Sequence, residues 1–188
     1  MTPMYLMARH EMRLFVSLAL WLARRTQGTA DGRAFGYARG QGSTLLGLAF
    51  VCVVETVGVS FMLRDMPLAH DVLLAVDVYT VLFVIGLHAA GVVRPHVLSG
   101  DALRVRHGAH VDLRIPLASI AAVRRETRTT HKPEPDALDL IVGSQTTVTL
   151  ELAEPVVHTS LLGRRRPVRV VRLYADDAGA LVQALAAR

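Results

Sequence analysis

A chain of 188 residues with 52% hydrophobic and 20% charged side chains has room for one modest water-soluble domain and keeps an apolar surplus that needs another location. Its one cysteine, Cys52, excludes a disulfide framework and a cysteine metal cluster. The formal charge of +5 comes from arginines that flank apolar segments, as cytoplasmic topology requires, and no basic stripe interleaved with aromatics points to nucleic acid. Lys132 is the one lysine among the basic residues, and Ala, Val and Gly are abundant, a composition of GC-rich bacterial genomes.

Residues 1–25 read as an amphipathic helix lying in the membrane interface. Met4–Ala23 is helix-prone but carries Arg9, His10, Glu11 and Arg13, and the uncharged stretch from Leu14 to Ala23 is only about 15 Å long, too short to span. Arg9, Arg13, Ser17 and Arg24 share one face, while Leu14, Phe15, Leu18 and Leu22 lie elsewhere and Trp21 suits headgroup depth. A signal peptide is the rival reading, yet the run ends in Arg24 and Arg25 without a small-residue cleavage site.

Residues 26–42 form a Gly-rich cytoplasmic linker. Gly36, Gly40 and Gly42 precede a helix start, where free N–H groups attract anions, but the lysine of a phosphate loop is missing. A polar linker and a lipid phosphate contact at Arg39 are the two readings carried forward.

Residues 43–95 form a transmembrane helical hairpin. Ser43–Leu63 and Leu68–Val93 are each long enough to cross about 30 Å of hydrocarbon, and only Arg64, Asp65, Met66 and Pro67 connect them. So short a connection makes the helices antiparallel neighbours. Arginines before the first span and after the second, against Arg64 alone at the tip, put both termini in the cytoplasm of a bacterial inner membrane protein.

Ionisable side chains in hydrocarbon cost about 2.5–3.5 kcal/mol each, so Glu55, Asp77 and His88 call for an explanation. Asp77, Thr80, Val84, His88 and Gly91 make one stripe of the second helix, and equal depth pairs Glu55 with Thr80 and Gly58 with Asp77. The residues serve either helix pairing, within the hairpin or between protomers, or a proton or cation relay.

Residues 96–188 form a cytoplasmic β-rich domain. After Pro95 the periodicity changes to two. Leu103 and Val105 alternate with Arg104 and Arg106, and matching their faces to Val111, Leu113 and Ile115 pairs Val105 with Val111 and Arg104 with Asp112. His107 and His110 flank that turn and read as solvated residues, no third ligand being tied to them. Further strands are expected at Ser119–Arg125, around Leu138–Val142 and Val148–Leu152, at Val156–Ser160 and at Pro167–Tyr174, and Asp176 and Asp177 cap a closing helix with Leu181, Val182 and Leu185 inward. Arg164, Arg165 and Arg166, like Arg24, Arg25 and Arg39, are candidates for anionic headgroups.

The Leu103–Arg106 strand, the segment Ile115-Pro116-Leu117-Ala118-Ser119-Ile120 and the passage from Tyr174-Ala175-Asp176-Asp177 into helix resemble the bacterial pleckstrin-homology-like (bPH) membrane proteins. Phe35–Gly40 and Val93–His96 resemble uncharacterised small two-span membrane proteins of high-GC bacteria. The resemblance implies an α+β membrane protein whose antiparallel PH-like barrel or sandwich, of about seven short strands with a capping helix, acts as a scaffold or binding domain.

No Gly-x-Ser-x-Gly elbow, zinc-protease helix or Walker motif is present. The expectation is therefore a non-enzymatic protein without a cofactor, its partners being the bilayer and a second protein or a second copy of itself through the hairpin. The alternative is a subunit of a transport complex that uses the intramembrane carboxylates.

Overall fold

The computed structural model describes residues 3–161 and 163–187; residues 1 and 2 of the expected N-terminal segment and residues 162 and 188 of the expected C-terminal domain lie outside them. The chain is α+β, with an N-terminal helix, two long apolar helices and two four-stranded sheets followed by a C-terminal helix.

Helix α1 runs Pro3–Leu22. Its packed side draws Leu14 from the expected apolar face and Ser17 and Arg13 from the expected polar one. Leu14 (3% exposed) and Ser17 (2%) are buried together, with Arg13 half-buried beside them, while Phe15 and Leu22 project away. Leu14 meets Phe83, Leu87, Ala90 and Ala109, and the Ser17 hydroxyl donates to the Arg13 carbonyl at 2.7 Å, satisfying itself inside the helix.

The expected linker is structural. Strand β1 (Arg33–Phe35) pairs antiparallel with β2 (His96–Leu98), Phe35 opposite His96. Helix α2 then begins at Arg39, four residues ahead of Ser43, and ends at Met62, and α3 spans Pro67–Val93 with Pro67 at its first turn, where a missing N–H costs nothing. The helical pair is thus an excursion from one sheet, leaving after β1 and returning at β2.

On α2 the residues turned inward are Gly42, Leu45, Ala49, Cys52, Thr56 and Val59, at the three-and-four spacing of a helical seam. On α3 the matching side holds Asp77, Thr80, Val84, His88 and Gly91. The outer surfaces stay bare: only 6% of the most apolar stretch of α2 and 17% of that of α3 is buried within the chain.

Strands β3 (Ala102–His107) and β4 (Val111–Pro116) complete the sheet β1-β2-β3-β4. Their register corrects the expected one: Val105 faces Leu113, and His107 faces Val111. The hairpin closes through three residues, with Gly108 at φ 54°, the left-handed geometry of a tight three-residue turn. The expected pairing would have closed on His107, Gly108 and Ala109, a turn of the same length placed one residue earlier. The inward face is unchanged because the slip is two residues, an even number.

The second sheet, β5-β7-β8-β6, holds β5 (Ile120–Arg128), β6 (Ala137–Leu140), β7 (Thr146–Thr159) and β8 (Arg165–Leu173). The expected strand at Val156–Ser160 is the far end of β7, which continues through an irregularity between Glu151 and Val156. Strand β6 runs parallel to β8, so the sheet is mixed where an all-antiparallel one was expected. One core joins both sheets and helix α4 (Ala178–Ala186): Leu103, Val105 and Ile115 meet Val148, Leu150, Val171 and Leu173 beneath Leu181.

Candidate functional site

The densest polar chemistry lies where α1, the end of α3 and the β3–β4 hairpin converge. Asp112 is its hub. Arg104 grips it with two hydrogen bonds, Nε to Oδ1 at 2.6 Å and a terminal nitrogen to Oδ2 at 2.7 Å, a bidentate geometry that adds direction to charge. Arg94 stands 3.5 Å from Oδ2, and the Arg106 Nε stands 3.8 Å from Oδ1. Burial alone would raise the Asp112 carboxyl, but the Arg104 hydrogen bonds and the charges of Arg104, Arg106 and Arg94 outweigh it and hold the group below the ordinary carboxylate value.

Three guanidinium groups around one carboxylate leave positive charge over. Arg106, 2% exposed, spends it on backbone: its terminal nitrogens donate to the carbonyls of Gln27 (2.7 Å), Gly28 (3.3 Å) and Pro95 (3.4 Å). Arg94 donates to the carbonyls of Gly108 and Ala109 at 3.3 and 3.0 Å. Arg13 of α1 reaches the same Ala109 carbonyl at 3.1 Å. Burying such cations is tolerable because carbonyl oxygens replace water, and the result ties α1, the 26–28 segment and the hairpin turn together.

Histidine and tyrosine rings fill the space beside this hub. Tyr37, 1% exposed, stacks on His96 (4.8 Å) and His107 (5.9 Å), and its hydroxyl accepts the Gly108 N–H at 2.9 Å. Burial pushes the Tyr37 phenol up to about 12. Of the two histidines expected as solvated turn residues, His107 is half-buried and His110 is exposed; their rings meet edge-on at 5.8 Å, and His110 faces His10 of α1 at 5.9 Å. Among the described residues no group of three His, Cys, Asp or Glu side chains converges as a metal site.

The glycines of 36–42 serve close approach. The Asp176 carboxylate accepts the Arg39 N–H at the first turn of α2, 3.1 Å away, and the Asp176 N–H donates to the Gly36 carbonyl at 2.8 Å. The anion at this helix start is therefore the chain's own side chain, which fulfils the attraction of free N–H groups. Gly40 lets Tyr174 and Gly143 pack against the same turn. Asp177, as expected, caps α4 by accepting the Ala180 N–H at 2.8 Å.

The residues singled out in the apolar helices are not gathered. Glu55 is exposed on the outer side of α2, one position off the seam that Thr56 occupies. The Thr80 hydroxyl donates to the Val76 carbonyl at 2.9 Å rather than to Glu55, and a side chain at Gly58 would meet nothing within 4 Å. His88 lies between Gly42 of α2 and Trp21 of α1, whose ring it meets edge-on at 5.6 Å. Asp77 is half-buried on the α3 seam.

Arg24, Arg25 and Arg39 are exposed, as are Arg164, Arg165 and Arg166 at the β7–β8 turn. Arg166 donates to the Ala137 carbonyl at 2.8 Å, and the Arg164 backbone N–H donates to the Ser160 hydroxyl at 3.2 Å. Sequence reasoning missed Arg9, Arg13, Arg94 and Arg106 as members of one site. Its nearest signal was the Arg104–Asp112 pair, which the structure makes diagonally across the corrected register.

Comparison of the chain with protein-family models, with curated proteins and with solved structures finds no match.

Proposed function

We propose that the protein is a non-enzymatic, membrane-anchored binding protein that holds its β domain at the cytoplasmic face of a bacterial inner membrane. The observation that carries this reading is the bareness of α2 and α3, which are apolar, long enough to cross a bilayer and almost unburied, beside a domain that already has its own core. Water would penalise that surface by about 25 cal/mol for each Å2. Hydrocarbon removes the penalty.

The PH-like reading of the domain rests on its succession of strands closed by α4, against which stands the parallel β6–β8 pair. The exposed carboxylate of Glu55 favours a partner within the bilayer, a second copy or another protein, since a lone acid facing lipid is costly. The transport-subunit alternative needs the same partner, because Glu55 is exposed on the outer surface while Asp77 is half-buried on the α3 seam.

Alkaline carbonate washing of native membranes, followed by affinity purification of the full chain in mild detergent, tests the proposal. Retention in the membrane pellet and a reproducible partner or homo-oligomer are expected. Recovery as a soluble monomer would overturn it.

A further inference from the structure

Between α1 and the β domain opens a cavity of about 250 Å3, on the small side of the roughly 300–1,000 Å3 that drug-sized ligands occupy. Its walls carry Arg9, His10 and Arg13 from α1, His110 from the hairpin turn, and His158 and Ser160 from the tip of β7–β8. Among the described residues the one carboxylate on its lining is Asp112, already gripped at both oxygens by Arg104. Arg9 has neither a hydrogen bond nor an ion pair among the described residues, although its side chain lines both this cavity and the adjoining cleft toward Arg104 and Arg114.

The balance of charge in the cavity is thus positive and unanswered. His110 sits in the same setting: crowding by protein atoms first, then the neighbouring His107, His10, His158 and Arg94, push its imidazole down to about 4. Arg13 is depressed as well, by burial first and then by Arg9 and Arg94. A bound anion is what would relieve such a cluster.

We propose that this cavity binds a phosphate group, with Arg9 and Arg13 as the charged donors and the Ser160 hydroxyl and the histidines as neutral ones. Arginine forks match phosphate oxygens, and the volume suits a headgroup rather than a nucleotide. Exposed Val157 (60%) and Leu161 (37%) on the lining offer apolar contact of the kind an attached glyceride needs. A lipid source rests on the membrane reading above; a soluble phosphate ester does not.

The test uses the full chain, delipidated in a maltoside detergent, so that it is independent of bilayer insertion. Native mass spectrometry is run with equimolar short-chain phosphatidylglycerol and phosphatidylcholine, and isothermal titration is run with inorganic phosphate. The variants are Arg9→Gln, whose side chain holds nothing in the fold, and the double change Arg9→Gln with Arg13→Gln, each checked by circular dichroism. Preferential phosphatidylglycerol adducts that fall about tenfold in Arg9→Gln support a lipid source, and phosphate binding with the same loss supports a soluble one. Absence of both, or binding that ignores Arg9→Gln, overturns the proposal.

Discussion

Replacing His96 with glutamine removes one titration from the centre of the molecule while leaving an acceptor and a donor in its place. His96 is 1% exposed; its Nε2 lies 3.0 Å from the Tyr174 carbonyl and its Nδ1 lies 3.1 Å from the Arg106 N–H. A carbonyl can only accept and an N–H can only donate, so the ring is neutral with its proton on Nε2. A second proton on Nδ1 would face the Arg106 N–H. Burial is the main cause that brings the imidazole from its ordinary 6.5 down to about 4, against the Tyr174 hydrogen bond and with help from His107 and Arg106.

The unfolded chain therefore takes up a proton that the folded one refuses. Stability from this residue is intact above about pH 6.5, falls as the pH drops, and levels off below about pH 4. At about 1.36 kcal/mol per pH unit of separation, the loss between pH 7 and pH 5 is about 2 kcal/mol. His10, His107, His110 and His158 are also held low, each mainly by burial, so acid weakens the whole protein and only a difference isolates His96.

Urea unfolding of the full chain in detergent, read by circular dichroism at pH 7 and pH 5, should show a pH-dependent loss about 2 kcal/mol smaller in His96→Gln than in the parent. Equal losses in the two proteins, or a His96 ring titrating above pH 6 by nitrogen NMR, would refute the assigned tautomer and its cause.

Asp112→Asn strips the counter-charge from Arg94, Arg104 and Arg106, two of them buried. A loss of about 3 kcal/mol in the same urea assay is expected, and loss under 1 kcal/mol would mean that the arginines are held by carbonyls alone. Gly143→Ala places a Cβ against the Gly40 carbonyl at a position with φ 57°, so the turn must move off the start of α2. Its unfolding free energy should fall by more than about 1 kcal/mol, whereas Gly47→Ala, which meets nothing within 4 Å, should hold or gain slightly.

How far the sequence reached can be judged from particular residues. The two long helices were legible because an unbroken apolar run needs no partner to be recognised. Pairing Glu55 with Thr80 failed because counting from Pro67 gives depth along a helix and says nothing of rotation about it; Thr56 and Glu55 differ by one position and face opposite surroundings. Strand β1 was hidden by its length, three residues being too few for a period. The hairpin register slipped by two because the three-residue turn is Gly108–His110 and not His107–Ala109, with Gly108 taking the positive φ. Of the arginine hub only the Arg104–Asp112 pair was legible, since Arg13 and Ala109 meet across 96 positions and no local spacing foretells that contact.

The pairing of Phe35 with His96 has a bearing on biosynthesis. Because one sheet draws its edge from ahead of the apolar helices and the rest from behind them, that edge emerges from the ribosome long before its neighbour exists. The turn that begins α2 waits longer still, until Asp176 is made. Maturation of the β domain is thereby coupled to completed synthesis of the helices, and a chain stalled between residues 62 and 96 would leave Phe35 without its β2 partner.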